Sequence, residues 1–166
     1  YTYIEAPWTV SAEIMSLTLP PHAETTRCQI GELVGSAEQS FLQLFHDHEI
    51  GPGKYVAATP CFRHTDKADA WHQPYFFKVE LIEIDAVPFL SPTKKIKEML
   101  YDAQQFFILQ GAQELTMRQT PEGLDLEMHG IEIGSYGYRN VKDMHWIYGT
   151  GYADPRFSLA KLLNHV

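Results

Sequence analysis

Cysteine is scarce, long apolar runs are missing and basic residues are outnumbered, and each shortage removes a class of protein. Cys28 and Cys61 are the only 2 cysteines in 166 residues. They are too few for a disulfide framework and lack metal-ligand spacing, which points to a reducing, cytoplasmic setting. No apolar run approaches the ~18 residues of a membrane span, and no signal-peptide pattern opens the chain. Lys and Arg number 13 against 21 Asp and Glu, for a formal net charge of −8. A surface that grips a polyanion normally shows clustered bases. The one cluster here, Lys94-Lys95-Ile96-Lys97, reads as a solvated helix face, so long nucleic acid is not an expected partner.

What is present describes a globular chain. Its 45% hydrophobic and 13% aromatic fractions suit a packed core, and 166 residues fit one domain, 1–166. A helix is predicted from Pro92 to Gln110, with Ser91 as its cap and Gly111 at its end. Ile96, Met99, Leu100, Ala103, Phe106, Phe107 and Gln110 recur at helical spacing and form its core face. A second helix is expected over Ala37–Phe45 and a third after Pro155. Strands are predicted at Tyr75–Asp85, Glu114–Thr120 and Leu124–Ile133, with short ones at Tyr55–Thr59 and Met144–Tyr148. Pro121-Glu122-Gly123 reads as a hairpin turn between two of them. Successive hairpins with few helices between them imply an antiparallel sheet flanked by helices, an α/β fold of the α+β type. His46 and His48, either side of Asp47, read as surface residues.

Four short stretches carry the chemistry. Cys61-Phe62-Arg63 ends a strand-like run, and after a polar loop His72-Gln73-Pro74-Tyr75-Phe76 leads into the next strand. Asp125 and Glu132 stand seven apart, and Arg139 lies seven beyond Glu132 after Gly134-Ser135-Tyr136-Gly137. Gly149-Thr150-Gly151-Tyr152-Ala153-Asp154-Pro155-Arg156 closes the series. On one regular strand, side chains an odd number apart face opposite ways, so Asp125 and Glu132 converge only if Gly130 marks a bulge or bend. Arginine suits phosphate because its planar fork donates paired hydrogen bonds and never loses charge.

In this order the stretches resemble the active-site motifs of class II aminoacyl-tRNA synthetases, most closely the aspartate, asparagine and lysine subgroup. The resemblance implies a catalytic core built on an antiparallel sheet that joins an amino-acid carboxylate to AMP. It implies that Arg63 grips the α-phosphate, Phe76 stacks on adenine and His72 lies near the distal phosphates. Asp125 and Glu132 would hold Mg²⁺ against ATP. Gly149 and Gly151 would let the backbone approach the nucleotide, and Arg156, opening a helix, would hold the γ-phosphate. Arg139 would read the substrate side chain, which favours aspartate or asparagine, while Ser36, Glu38 and Gln39 fall where the family holds the substrate amino group. Tyr3-Ile4-Glu5-Ala6-Pro7 resembles the end of the first motif, through which such cores pair. With the apolar start (Tyr1, Tyr3, Ile4, Trp8) it predicts a homodimer. No accessory anticodon-binding domain is recognisable. The acceptor of the activated amino acid stays open among a tRNA end, ammonia, another amine and a carrier protein. Three positions depart from the pattern, with Thr65, Tyr75 and Ala153 in place of an acid, a glutamate and a glycine. They keep a second reading alive, a non-catalytic relative that senses an amino acid or nucleotide or serves as a partner subunit.

Overall fold

Two long strands rich in β-branched and aromatic residues set the frame. They are β5 (Gly53–Phe62) and β6 (Tyr75–Asp85), which pair antiparallel from Gly53↔Ile84 to Phe62↔Tyr75. The computed structural model describes residues 1–20, 22–64 and 68–163; Thr65 lies outside them. The elements before β5 are short: β1 (Thr2–Tyr3), β2 (Thr9–Val10), α1 (Ala12–Ser16), β3 (Arg27–Cys28), β4 (Gly31–Leu33) and α2 (Ala37–His46). After β6 come α3 (Pro92–Leu109), β7 (Leu115–Gln119), β8 (Gly123–Met128), β9 (Ile131–Val141), β10 (Met144–Asp154) and α4 (Arg156–Leu162). Seven strands form one sheet in the order β1-β5-β6-β10-β9-β8-β7, antiparallel except where β1 joins β5. The three short strands β2-β4-β3 form a second sheet.

Helices cover both faces of the large sheet. On one face Met99, Leu100, Ala103 and Phe107 of α3 and Phe157 of α4 pack on Leu126, Ile133, Tyr136 and Ile147. On the other, Phe41 and Leu42 of α2 pack on Ala57, Ile82, Ile84 and the fully buried Trp146. Each large apolar side chain so buried contributes about 1.5–3 kcal/mol. The predicted face of α3 is the observed one except at its edge. Phe106 is 40% exposed and meets Tyr152 edge-on instead of entering the core. Ser91 precedes α3 without a side-chain capping bond, whereas Ser36 does cap α2 by accepting from the Glu38 N–H at 3.3 Å. Gly111 ends α3 at φ +88°, a conformation that suits glycine.

The largest correction concerns residues 124–133, predicted as one strand. They form a hairpin, β8 and β9, turned by His129 and Gly130, both at positive φ. A two-residue turn with both φ positive matches the right-handed twist of the strands it joins. Gly130 is therefore a turn residue and not a bulge. The extra residue sits three positions later, because Leu126 pairs with Gly134 while Glu127 pairs with Glu132, leaving Ile133 unpaired. That shift puts Glu132 on the same face as Asp125, which pairs with Ser135. Arg139 lies within β9, and β10 runs past the predicted Met144–Tyr148 through the glycine-rich stretch to Asp154.

Candidate functional site

The cleft lies on the α2 side of the large sheet, where the polar residues of β6 face a wall formed by the segment between α1 and β3. Its volume is about 570 Å³. Ser36, Glu38, Gln39, Arg63, His72, Phe76, Glu132, Arg139 and Arg156 all line it. Nine of the twelve candidate site residues, drawn from five separate elements or loops, thus converge on one space. Gly149, Gly151 and Asp125 do not.

The two chain segments around Arg63 form one wall. Its backbone N–H donates to the Pro74 carbonyl at 2.9 Å, joining the ends of the loop between β5 and β6. Its Nε donates to the Gly35 carbonyl at 2.9 Å, and its guanidinium lies 5.2 Å from the centre of the Phe76 ring. Phe76 and its β6 neighbours Lys78 and Glu80 face the cleft, while Tyr75 is exposed, does not line it and packs on Phe62. Asp69 accepts from the Trp71 and His72 N–H groups at 2.7 Å and meets His72 Nδ1 at 3.0 Å, fixing the loop that carries His72. The His72 bond, with the two backbone donors, holds the Asp69 carboxyl below its ordinary range. His64 reaches across to the facing segment, meeting Thr26 Oγ1 at 3.1 Å and Glu24 at 3.5 Å.

The floor holds two buried acids. Glu80 accepts from Ser36 Oγ at 2.7 Å, from the Ala37 N–H and from Lys78 Nζ. Burial pushes its carboxyl up, but the Lys78 charge and these bonds outweigh burial and leave it below the ordinary range. Glu38 accepts on both oxygens from Arg139, at 2.8 and 2.7 Å, and on Oε1 from Trp146 Nε1 at 2.6 Å. Burial dominates here and raises its carboxyl despite Arg139 and Trp146. Arg139 lies 4.4 Å over the Tyr148 ring, within cation–π range. Burial pushes the Tyr148 hydroxyl up to about 12, so it is a neutral donor at pH 7. Gln39 is a strut, accepting from the Gly35 N–H at 2.8 Å and donating to Thr18 Oγ1 at 3.0 Å.

On the opposite wall Arg156, at the start of α4, donates to Glu132 at 3.2 Å. Both side chains are partly open to solvent. Asp125 is placed differently. It is buried outside the cleft, and Arg118 of β7 donates to its Oδ2 at 2.7 Å while also bridging Glu127. Among the described residues no group of three His, Cys, Asp or Glu is arranged to hold a metal ion. Gly149 also faces away: a Cβ there would meet Tyr136 at 2.4 Å and Met99 at 2.7 Å, so close packing under α3 requires the glycine. Gly151 is the extra residue of a β-bulge between Thr150 and Tyr152, beside the cleft-lining Thr150 and Ala153.

Sequence reading missed Lys78, Glu80, Trp146 and Tyr148. Lys78 and Glu80 alternate with Phe77, Val79 and Leu81 along β6, a pattern that ordinarily marks a solvated face. Opposite charges two apart on a strand central to the sheet were the available signal.

No protein-family model matches the chain, nor does any curated protein sequence. Solved structures do share its fold. The cytoplasmic serine-tRNA ligase from Naegleria fowleri in complex with AMP superposes with a TM-score of 0.71 at 17% identity, covering 96% of this chain and 44% of that one. The seryl-tRNA synthetase from Pyrococcus horikoshii complexed with ATP gives 0.69 at 19% identity, over 99% and 47%. A pyrrolysyl-tRNA synthetase, PylSc from Desulfitobacterium hafniense, gives 0.70 at 14%, over 98% and 63%. The chain thus spans between about two-fifths and two-thirds of the length of these enzymes, and its fold is that of a class II aminoacyl-tRNA synthetase catalytic core.

Proposed function

We propose that the chain, residues 1–166 acting as one catalytic core, activates a small amino acid with ATP. The observation that carries this reading is the convergence of Arg63, Phe76, Arg156 and the buried Glu38–Arg139 pair on one cleft. The seryl-tRNA structures of the same fold hold AMP or ATP. The substrate carboxylate attacks the α-phosphorus, an oxygen–phosphorus bond forms, and the bond to the leaving pyrophosphate breaks. The nucleophile is already ionised, so no general base is required. Phe76 offers a face for adenine, and Arg63 and Arg156 neutralise charge on the phosphates from opposite walls. Adenine on that face would take the place of the Arg63 guanidinium, which lies 5.2 Å from the ring centre.

Magnesium takes one or two carboxylates together with phosphate oxygens and water. Glu132, open to the cleft beside Arg156, fits that demand, whereas Arg118 already holds Asp125. Mg²⁺ carried in with ATP would supply charge neutralisation, with Glu132 as its protein carboxylate. Arg139 is the side-chain reader, which favours aspartate or asparagine as substrate. The acceptor is an amine, ammonia, a carrier protein or the end of a tRNA, and a reducing cytoplasm suits the free Cys28 and Cys61. No helix of the described residues is long and apolar enough to cross a membrane.

Exchange of labelled pyrophosphate into ATP, dependent on an added amino acid, tests the reading. Exchange at rates above the amino-acid-free blank supports it. Binding of ATP or amino acid without exchange would favour the non-catalytic sensor. A homodimer is proposed with the activity, because Tyr3 and Trp8 are 65% and 59% exposed beside the two-residue edge strand β1. Light scattering at tens of micromolar should give twice the chain mass of 19.0 kDa, and a monomer would refute it.

A further inference from the structure

Resting on the amino-acid-activating reading, we infer that the substrate side chain is a neutral carboxamide and that a free carboxylate is rejected. The inner end of the cleft is electrically closed. Glu38 takes both bonds of one Arg139 nitrogen, and Glu80 takes the Lys78 ammonium. The second Arg139 terminal nitrogen, Nη2, has a further acid, Glu122, at 3.8 Å. Three acids therefore face two bases. A carboxylate placed beside Arg139 would have to displace Glu38 or lie next to it, adding a like charge beside a buried acid. The arginine is not a free counter-ion waiting for an acid.

A cationic side chain fails for the opposite reason. Arg139 is the more exposed partner, with 31% of its side chain open against 8% for Glu38, so a ligand meets the guanidinium first. A carboxamide satisfies both members at once. Its carbonyl accepts from the outer Arg139 nitrogen, and its N–H₂ donates toward the Glu122 and Glu38 carboxylates. A site with paired donor and acceptor discriminates strongly, because the wrong isostere leaves a buried polar group unmatched. The Trp146 bond matters for the same reason. It fixes Glu38 from below, so the acid cannot swing aside to let a carboxylate pair with Arg139.

Amino-acid-dependent pyrophosphate exchange, read beside the rise in melting temperature with ATP and Mg²⁺, tests this on the full chain with asparagine, glutamine, aspartate, lysine and serine. Asparagine or glutamine should exceed aspartate at least a hundredfold in kcat/KM, and lysine should be silent. Glu38→Gln keeps the Trp146 acceptor but removes the charge, and it should shift the asparagine-to-aspartate ratio at least tenfold toward aspartate. Glu122→Gln, at an exposed position, should shift it the same way by a few-fold even if the first variant fails to fold. Aspartate equal to or better than asparagine would overturn the inference, as would an unchanged ratio in a folded Glu38→Gln. Exchange driven best by serine, with both amides inert, would overturn it while leaving adenylate formation standing. Silence with every amino acid would remove the underlying reading and the inference with it.

Discussion

Glu38 and Glu80 make a natural comparison, since both are buried on the cleft floor and each is paired with one cation. Glu80 gains a hydroxyl and a backbone N–H besides its lysine, and its carboxyl falls below the ordinary range. Glu38 gains an arginine and an indole but no backbone donor, it feels the Glu80 charge, and its carboxyl rises. The difference separates two jobs. Glu80 ties the start of α2 to β6 and belongs to the architecture. Glu38 is held at an energetic cost beside a partly open arginine, which is the mark of a working group.

The largest expected effect falls on the structural pair. Removing one partner of a buried ion pair leaves an uncompensated charge and costs about 3–5 kcal/mol. Lys78→Met should therefore show that loss in urea denaturation, and the Lys78→Met/Glu80→Leu double variant should recover much of it. If each single variant costs under 1 kcal/mol, Glu80 is not the clamp described. Next come the arginines proposed to hold the phosphates. Arg63→Ala and Arg156→Ala should each lower ATP binding or turnover at least tenfold, since each loses a charge-assisted contact. Unfolding midpoints should change little, because both side chains contact chiefly the cleft walls. Wild-type affinity in both would contradict the assignment.

The pH response should split the two acids by sign. A depressed carboxyl contributes stability that is present above its unfolded value of 4.5 and lost as pH falls through its folded value. Glu80→Gln should flatten that acid limb. A raised carboxyl binds protons in the folded state that the unfolded chain has released. Glu38 therefore makes stability decline as pH rises from 4.5 to its raised value. Glu38→Gln should abolish that decline, and chemical denaturation across pH 3–8 reads both effects. The smallest expected effect is at Asp125. Asp125→Asn should leave the Mg²⁺ dependence of exchange unchanged, while Glu132→Gln should raise the Mg²⁺ concentration needed several-fold.

Much of this molecule was legible in the chain, for reasons that differ by residue. The periodicity of Ile96, Met99, Leu100 and Ala103 made α3 readable, while Phe106 at the edge of the stripe and Gln110, which caps the helix, escaped the core. Arg63, Phe76 and Arg156 could be singled out because their neighbours stand in a motif, and all three line one cleft. The His129-Gly130 turn was missed because no Asn-Gly or Asp-Gly pair marks it. The pairing of Arg118 with Asp125 was illegible for a different reason, since strand register alone brings these side chains together. Charge alternation in β6 likewise reads as one wet face until the cleft wall that covers it is known.

Joining an amino-acid carboxylate to AMP is the activity proposed for this cleft. Its most direct test is exchange of labelled pyrophosphate into ATP with asparagine as the added amino acid, in wild type and in Arg63→Ala. Asparagine-dependent exchange is expected in the wild type, reduced at least tenfold in the variant. No amino-acid-dependent exchange in a folded wild-type protein that still binds ATP would contradict it.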